Sequence, residues 1–340
     1  MRRMRLLAPA LLFLLFLAAR PFTESESPHL RPGAGTRLHA HNCYPQSGRW
    51  PDRLDRALST PSRPVAIEQD LVWRAGSAGG QSVVAHDAEL AAAAPTLEEH
   101  FFVPMAAVLD RALEEGHTDR WPIVILHLDV KTNEPAHHRA IAALLEKYQR
   151  WLTTTERVSD DTRVMPLMPG PLLALTESGS GQEEEFHLRV PVGSRLRIFG
   201  TVPSSPVATS QTREEHEAAL VRTSVGELIP HGATNYRRWS NLSWAVVEEG
   251  GPSGAGEWTR SDDARLRAIV ARAHGIGLWI RFYALNGHPA AQHSGWSPSY
   301  NFGSAAAARE RWQAAIAAGV DFVATDQYED FAAMLARSPE

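Results

Sequence analysis

From Arg37 onward the chain alternates short apolar runs of β type with longer stretches whose apolar residues recur every three and four positions. Strand patterning is expected over residues 37–41, 65–73, 82–86, 123–131, 163–176 with a proline-rich middle, 195–201, 243–248, 277–283 and 321–325. Between these runs "TLEEHFFVPMAAVLDRALEEG", "HHRAIAALLEKYQRWL", "SDDARLRAIVARAHG" and "SAAAARERWQAAIAAG" carry the helical period. A β run followed by a helix, repeated along the chain, predicts a parallel sheet covered by helices. About eight such units in roughly 300 residues suit a closed α/β barrel, the (β/α)8 fold, as one domain over residues 36–340. Two stretches break the rhythm, "ESGSGQEEEFHLRVPVGS" and "EEGGPSGAGEWTRS"; both read as surface insertions, the first as partly mobile.

The beginning of the chain has another pattern. "MRRMRLLAPALLFLLFLAAR" places three arginines in its first five residues, then an apolar run from Leu6 to Ala19, and a polar stretch follows. That is the layout of a secretory signal peptide, and the run falls short of the ~20 residues of a membrane span. Residues 1–20 are therefore expected to be a signal peptide and 21–35 a polar linker, giving a secreted or cell-envelope protein, with an uncleaved anchor as the rival reading. No lipobox cysteine follows the run. The single cysteine, Cys43, leaves no intramolecular disulfide, so a core built from 44% hydrophobic residues must hold the fold. A net charge of -5 gives no reason to expect a nucleic-acid partner.

A barrel builds its site at the carboxyl ends of its strands, and residues two apart on a strand share a face. "LHAH" thus projects His39 and His41 together, "AIEQDLVW" projects Glu68 with Asp70, "VVAHD" ends in His86, and "VILHLDVK" aligns His127, Asp129 and Lys131. Each item has an ordinary structural explanation: a lone strand-end histidine is usually hydrogen-bonded scaffold, and "LDVK" alone suits an ion pair. Recurrence at four strand ends is what argues for one site. Two carboxylates framed by "VAI" and "LVW" are costly to bury without a cation, whether a metal or Lys131. Glu68, Asp70 and Asp129 make a hard oxygen set suited to Mg²⁺ or Ca²⁺, whereas zinc would recruit the histidines. Such a cation beside imidazoles that move protons near neutral pH, with Lys131 adding positive charge, suits phosphoryl chemistry.

Taken in order, "HAHN", "IEQDLVW", "VVAHD", "LHLDVKT" and the closing "GVDFVATDQYEDF" resemble the phosphatidylinositol phospholipase C-like phosphodiesterase superfamily. The closest likeness is to its group of glycerophosphodiester phosphodiesterases, sphingomyelinase D-like enzymes and the altered inheritance of mitochondria protein 6 type. The resemblance spans residues 37 to about 335 and is weakest over roughly 155–240. It implies His41 and His86 as the general acid and base, and Glu68, Asp70 and Asp129 as ligands of one divalent cation. It also implies Lys131 as a phosphate contact, with His39, Trp279 and Arg281 on the substrate side. Where the related proteins have Asp after His-Asn this chain has Cys43, which implies a less firmly held His41.

The implied reaction is in-line cleavage of a small-molecule or lipid phosphodiester. The attacking group is water or a neighbouring substrate hydroxyl, the latter giving a cyclic phosphate. A monomer with membrane-surface contact is the expected state. Trp296, Tyr300 and Phe302 read equally as a lipid- or sugar-facing rim and as scattered loop aromatics. Two rivals stay open: a glycoside hydrolase using two acids and no metal, and a non-catalytic barrel binding a lipid headgroup or envelope polymer.

Overall fold

A computed structural model describes residues 27–46, 48–76, 79–203, 213–289 and 298–337. Its central sheet has nine strands, of which eight run parallel and close on themselves. In chain order they are β1 (Arg37–Ala40), β2 (Val65–Arg74), β3 (Val124–Val130), β4 (Leu172–Thr176), β5 (Phe199–Thr201), β6 (Arg237–Ser243), β7 (Trp279–Tyr283) and β8 (Phe322–Thr325). Closure occurs at β1, where His39 lies opposite Ala324 of β8 on one side and Ala66 of β2 on the other. With helices between successive strands, this is the expected (β/α)8 barrel.

Strand alternation decides what each residue meets. On β3, Val124, Leu126 and Leu128 are buried beneath the helices, while His127 and Asp129 point into the barrel. Strands buried on both faces read as nearly continuous apolar runs, which is why β2 and β3 were legible. The middle of the barrel is filled by rings instead of the usual branched aliphatics: His39 lies edge-on to His127 (5.2 Å) and Phe322 (5.9 Å), and His127 edge-on to Trp239 (4.8 Å).

The helices close the outside. Arg260–Gly275 begins at a reciprocal cap between Thr259 and Asp262 and buries Leu266, Ile269, Val270 and Ala273. Each large aliphatic side chain removed from water there contributes about 1.5–3 kcal/mol, and the cap about 1 kcal/mol. Ala305–Ala318 is capped by Ser304 and stops at Gly319, whose φ of 78° a side chain tolerates poorly. No helix of the described residues is long and apolar enough to cross a membrane.

Several expected elements are placed differently. The strand expected at 243–248 is a turn of 3-10 helix (Trp244–Val246) that tucks Trp244 and Val247 into the core. The true strand, β6, lies just before it, and its polar "RRWSNLS" hid it. The run 82–86 supplies Gln81–Val84, a strand antiparallel to β2 outside the barrel ring. Of 163–176 only β4 is a barrel strand, and 195–201 splits into Arg195–Leu196, paired with Thr155–Glu156, and β5. The segment expected as a mobile insertion is mostly helical from Ser180 to Leu188 and buries Phe186 and His187. Described residues of the expected linker are packed: Leu30 is buried, and the Gly33 N–H donates to Asp321 at 2.7 Å. The expected signal peptide lies outside the described residues.

Candidate active site

The site grows from the turn after β1. His41 leaves the strand and Asn42 takes a left-handed conformation (φ 50°), which asparagine tolerates better than most residues. That turn aims the Asn42 N–H at Glu68 Oε2 (3.1 Å), while Arg53 donates to the Asn42 carbonyl (2.6 Å). His41 is buried between two carboxylates, its Nδ1 3.3 Å from Asp326 Oδ1 and its Nε2 3.6 Å from Glu68 Oε2. Burial disfavours the charged ring, yet Glu68 and Asp326 together outweigh it and raise the His41 pKa. Asp326, just past β8, is held in turn by Asn286 (2.7 Å) and Arg53 (3.2 Å). Burial alone would raise its pKa, but His41 and Arg53 bring it below the usual carboxylate value.

Next to His41, the ends of β2 and β3 bring Glu68, Asp70 and Asp129 together, one oxygen of each lying within 4.8 Å of the others. Lys131 reaches Asp129 Oδ2 at 2.7 Å and Asp70 Oδ2 at 3.5 Å, and Tyr44 donates to Asp70 at 2.6 Å. Burial, then the neighbouring Asp129, pushes Asp70 up to about 7. Glu68 is buried too, but Arg281 (Nη2 to Oε1, 2.8 Å) and His41 hold it well below the ordinary range. The residues fit a hard divalent cation: the donors are carboxylate oxygens, and the crowding that raises the Asp70 pKa is what such a cation relieves.

His41, His86, Glu68, Asp70, Asp129, Lys131 and Arg281 all line one cleft of about 280 Å³ at the carboxyl end of the barrel. His86 stands at its exposed edge with Nδ1 2.8 Å from Asp87. Two expected substrate contacts are not there. His39 is fully buried below the cleft, and its Nδ1 accepts from Arg281 Nε at 3.1 Å, which places its proton on Nε2. Burial, aided by Arg281 and His127, holds it neutral, so it serves as a layer residue under Arg281. Trp279 opens β7 at the amino end and lines a separate cavity of about 220 Å³ with Leu30, Met165 and Gly277. Arg281 shares its face but not its depth: two residues along a strand are about 6.6 Å, enough to separate the floor of a barrel from its mouth.

The aromatics at the mouth are Tyr283 and Tyr300. Tyr300 comes from the long loop after β7, and its ring lies 5.9 Å from that of His41. Phe302 packs inward, 5.3 Å from the Arg311 guanidinium, and Trp296 falls outside the described residues. Glu177 and Asn241 also line the cleft, and Glu177 Oε1 accepts from His127 Nε2 (2.9 Å) and Asn241 Nδ2 (2.8 Å). Burial opposes a charge on His127, but Glu177 and Glu68 raise its pKa to about 9. Glu177 is not among the expected residues, although Leu173, Leu175 and Glu177 form an inward alternation ending in an acid. Asp326, in the closing "TDQ", carries no expected role either. Cys43 is no nucleophile: it is buried, and burial pushes its thiol up to about 12. Asp326, from the other side of the barrel seam, supplies the carboxylate against His41.

The site is thus an acidic, histidine-bearing cleft at the mouth of a (β/α)8 barrel. No family model matches the sequence, and no curated protein matches it. Among solved structures, a glycerophosphoryl diester phosphodiesterase from Parabacteroides distasonis aligns over 89% of this chain and 86% of its own, with 13% identity and a TM-score of 0.39. The HPPK-DHPS triple mutant of Plasmodium falciparum, solved with SDX-DHP, aligns over 89% of this chain, with 9% identity and a TM-score of 0.41. This chain spans only 46% of the Plasmodium chain. Likenesses this remote say nothing of activity.

Proposed function

We propose that the chain is a divalent-metal-dependent phosphodiesterase of the phosphatidylinositol phospholipase C-like kind, cleaving a phospholipid headgroup or glycerophosphodiester linkage. The observation that carries this reading is the convergence of Glu68, Asp70 and Asp129 on one point, with Lys131 and His41 in the same cleft. Those three carboxylates would hold Mg²⁺ or Ca²⁺, which, when bound, neutralises charge on the nonbridging phosphate oxygens. Lys131 adds positive charge on the same wall. One of His41 and His86 takes the proton of the attacking water or substrate hydroxyl as the new P–O bond forms. The other protonates the alkoxide as the old P–O bond breaks. Asp326 keeps the His41 ring fixed and favours its charged form. Export through the segment Met1–Arg20 is part of the proposal and rests on its sequence alone.

The test is a panel of bis(p-nitrophenyl) phosphate, lysophospholipids and glycerophosphodiesters, each offered with Mg²⁺ and with Ca²⁺. Wild-type protein is expected to cleave at least one, with EDTA abolishing the activity. His41→Ala and His86→Ala should each cost about 10²–10⁴-fold. Absence of cleavage across the panel, or a hydrolysis indifferent to EDTA and to both substitutions, overturns the reading.

A further inference from the structure

One wall of the cleft has no task in phosphate chemistry. Beside the acids, the ends of β4, β6 and β7 continue the wall with Glu177, next in register to Asp129, then Asn241 and Tyr283, and Tyr300 also lines the cleft. A carboxylate in a cleft for an anionic diester weakens binding unless it faces the uncharged or cationic part of the substrate. Glu177 is built to face it. Its Oε1 is committed to His127 and Asn241, its side chain is one-quarter exposed, and Oε2 takes no donor among the described residues. The two tyrosines do not form a cage for a quaternary ammonium. Arg281 already lies 5.5 Å from the Tyr283 ring centroid, and Tyr300 meets Tyr283 edge-on at 5.9 Å. About 280 Å³ suits a phosphate with a short alcohol.

Resting on the phosphodiesterase reading, we propose that Glu177 selects the alcohol of the substrate. Its Oε2 accepts a hydrogen bond from a hydroxyl or ammonium on the group esterified to phosphate. Polyol and primary aminoalcohol esters are therefore preferred over alkyl and quaternary-ammonium esters. A hydrogen bond to a charged group is worth about 1.5–3 kcal/mol, or roughly 10- to 150-fold in kcat/KM.

The experiment compares the p-nitrophenyl phosphodiesters of glycerol, ethanolamine, choline and methanol on wild type and Glu177→Gln, with Mg²⁺ or Ca²⁺ present. Glutamine keeps an oxygen for His127 and Asn241, and a thermal melt confirms that the variant is folded. Wild type should favour glycerol or ethanolamine at least tenfold over choline and methanol, and the variant should lose that preference. A loss confined to the ethanolamine ester marks an ammonium as the donor, a loss confined to the glycerol ester marks a hydroxyl, and equal losses show that Glu177 accepts from either. Equal wild-type rates on all four, or a variant that slows on all four by one factor, overturns the selection and reduces Glu177 to a prop for His127. Wild-type inactivity on every ester overturns the selection, while the phosphodiesterase reading stands or falls separately, on the wider substrate panel.

Discussion

Strand β8 has a buried aspartate at each end, and the two do different work. Asp321, at the amino end, accepts from the Gly33 N–H (2.7 Å), the Ile280 N–H (2.9 Å) and His274 Nε2 (2.9 Å). It ties residues 27–35, β7 and a helix end to the floor of the barrel. Asp326, at the carboxyl end, is just as enclosed but spends its oxygens on Asn286, Arg53 and His41. Of these partners His41 lines a cleft. Burial and hydrogen bonding are therefore common to scaffold and site; what separates them is whether a partner lines the acidic cleft, as His41 does and His274 does not.

Removing each charge should pull the two ends apart, with the largest effects in the molecule. Asp321→Asn leaves one oxygen for the three donors that the carboxylate now accepts, the Gly33 and Ile280 N–H groups and His274, and should cost about 2–4 kcal/mol of stability in a urea titration. The kcat of the fraction that remains folded should be unchanged. Asp326→Asn should also destabilise, since Arg53 loses its counter-charge, but it should in addition lower kcat by about 10- to 100-fold, the range for a partner that orients a working ligand. A kcat loss in Asp321→Asn, or none in Asp326→Asn, would erase the distinction.

A second contrast lies within the site, between carboxylates that have a cation and one that has too little. Asp70 titrates near 7 because of burial and Asp129, above its unfolded value of 3.8. From about pH 4 to pH 7 the native state then holds the proton more tightly than the unfolded chain, so stability falls as pH rises through that window. The whole shift corresponds to about 4 kcal/mol. Glu68 and Asp326 have depressed values, so their contribution is present above the unfolded pKa and disappears only at lower pH. Urea midpoints of metal-free protein should therefore drop between pH 5 and pH 7. Mg²⁺ or Ca²⁺ should stabilise more at pH 7 than at pH 5, since the cation competes with the Asp70 proton. Equal stabilisation at both values would show that Asp70 is not among the ligands.

What the sequence disclosed follows the same physics. The barrel was readable because doubly buried strands such as β2 and β3 must be apolar on both faces, leaving His127, Glu68 and Asp129 conspicuous. Strand β6 was not, because "RRWSNLS" points Asn241 at the cleft and loses the apolar signature that its neighbour "WAVV" displays from a mere turn. Alternation also told which residues share a face but not their height in the barrel, so Trp279 was assigned to a mouth that Tyr283, four residues on, occupies. Pairings across the seam were beyond local pattern: nothing near "HAHN" announces that its carboxylate comes from residue 326.

That seam pairing makes Cys43 the mildest of the tests. The family that the sequence resembles has an aspartate at this position, and the cysteine here led to the expectation of a less firmly held His41. Here Asp326 already faces His41 Nδ1, while Cys43 is packed out of solvent, its backbone N–H donating to the Glu68 carbonyl and its own carbonyl accepting from Gln69. Cys43→Ala keeps those backbone bonds and should cost about 1 kcal/mol, with kcat within twofold of wild type. The native thiol, pushed up to about 12, should resist iodoacetamide at pH 8 and react only on unfolding. Cys43→Asp should gain no activity and lose stability, because a second buried carboxylate would share Arg53 with Asp326. An activity gain in Cys43→Asp would show instead that Asp326 leaves His41 imperfectly held, and would make the seam a weaker substitute for the local acid.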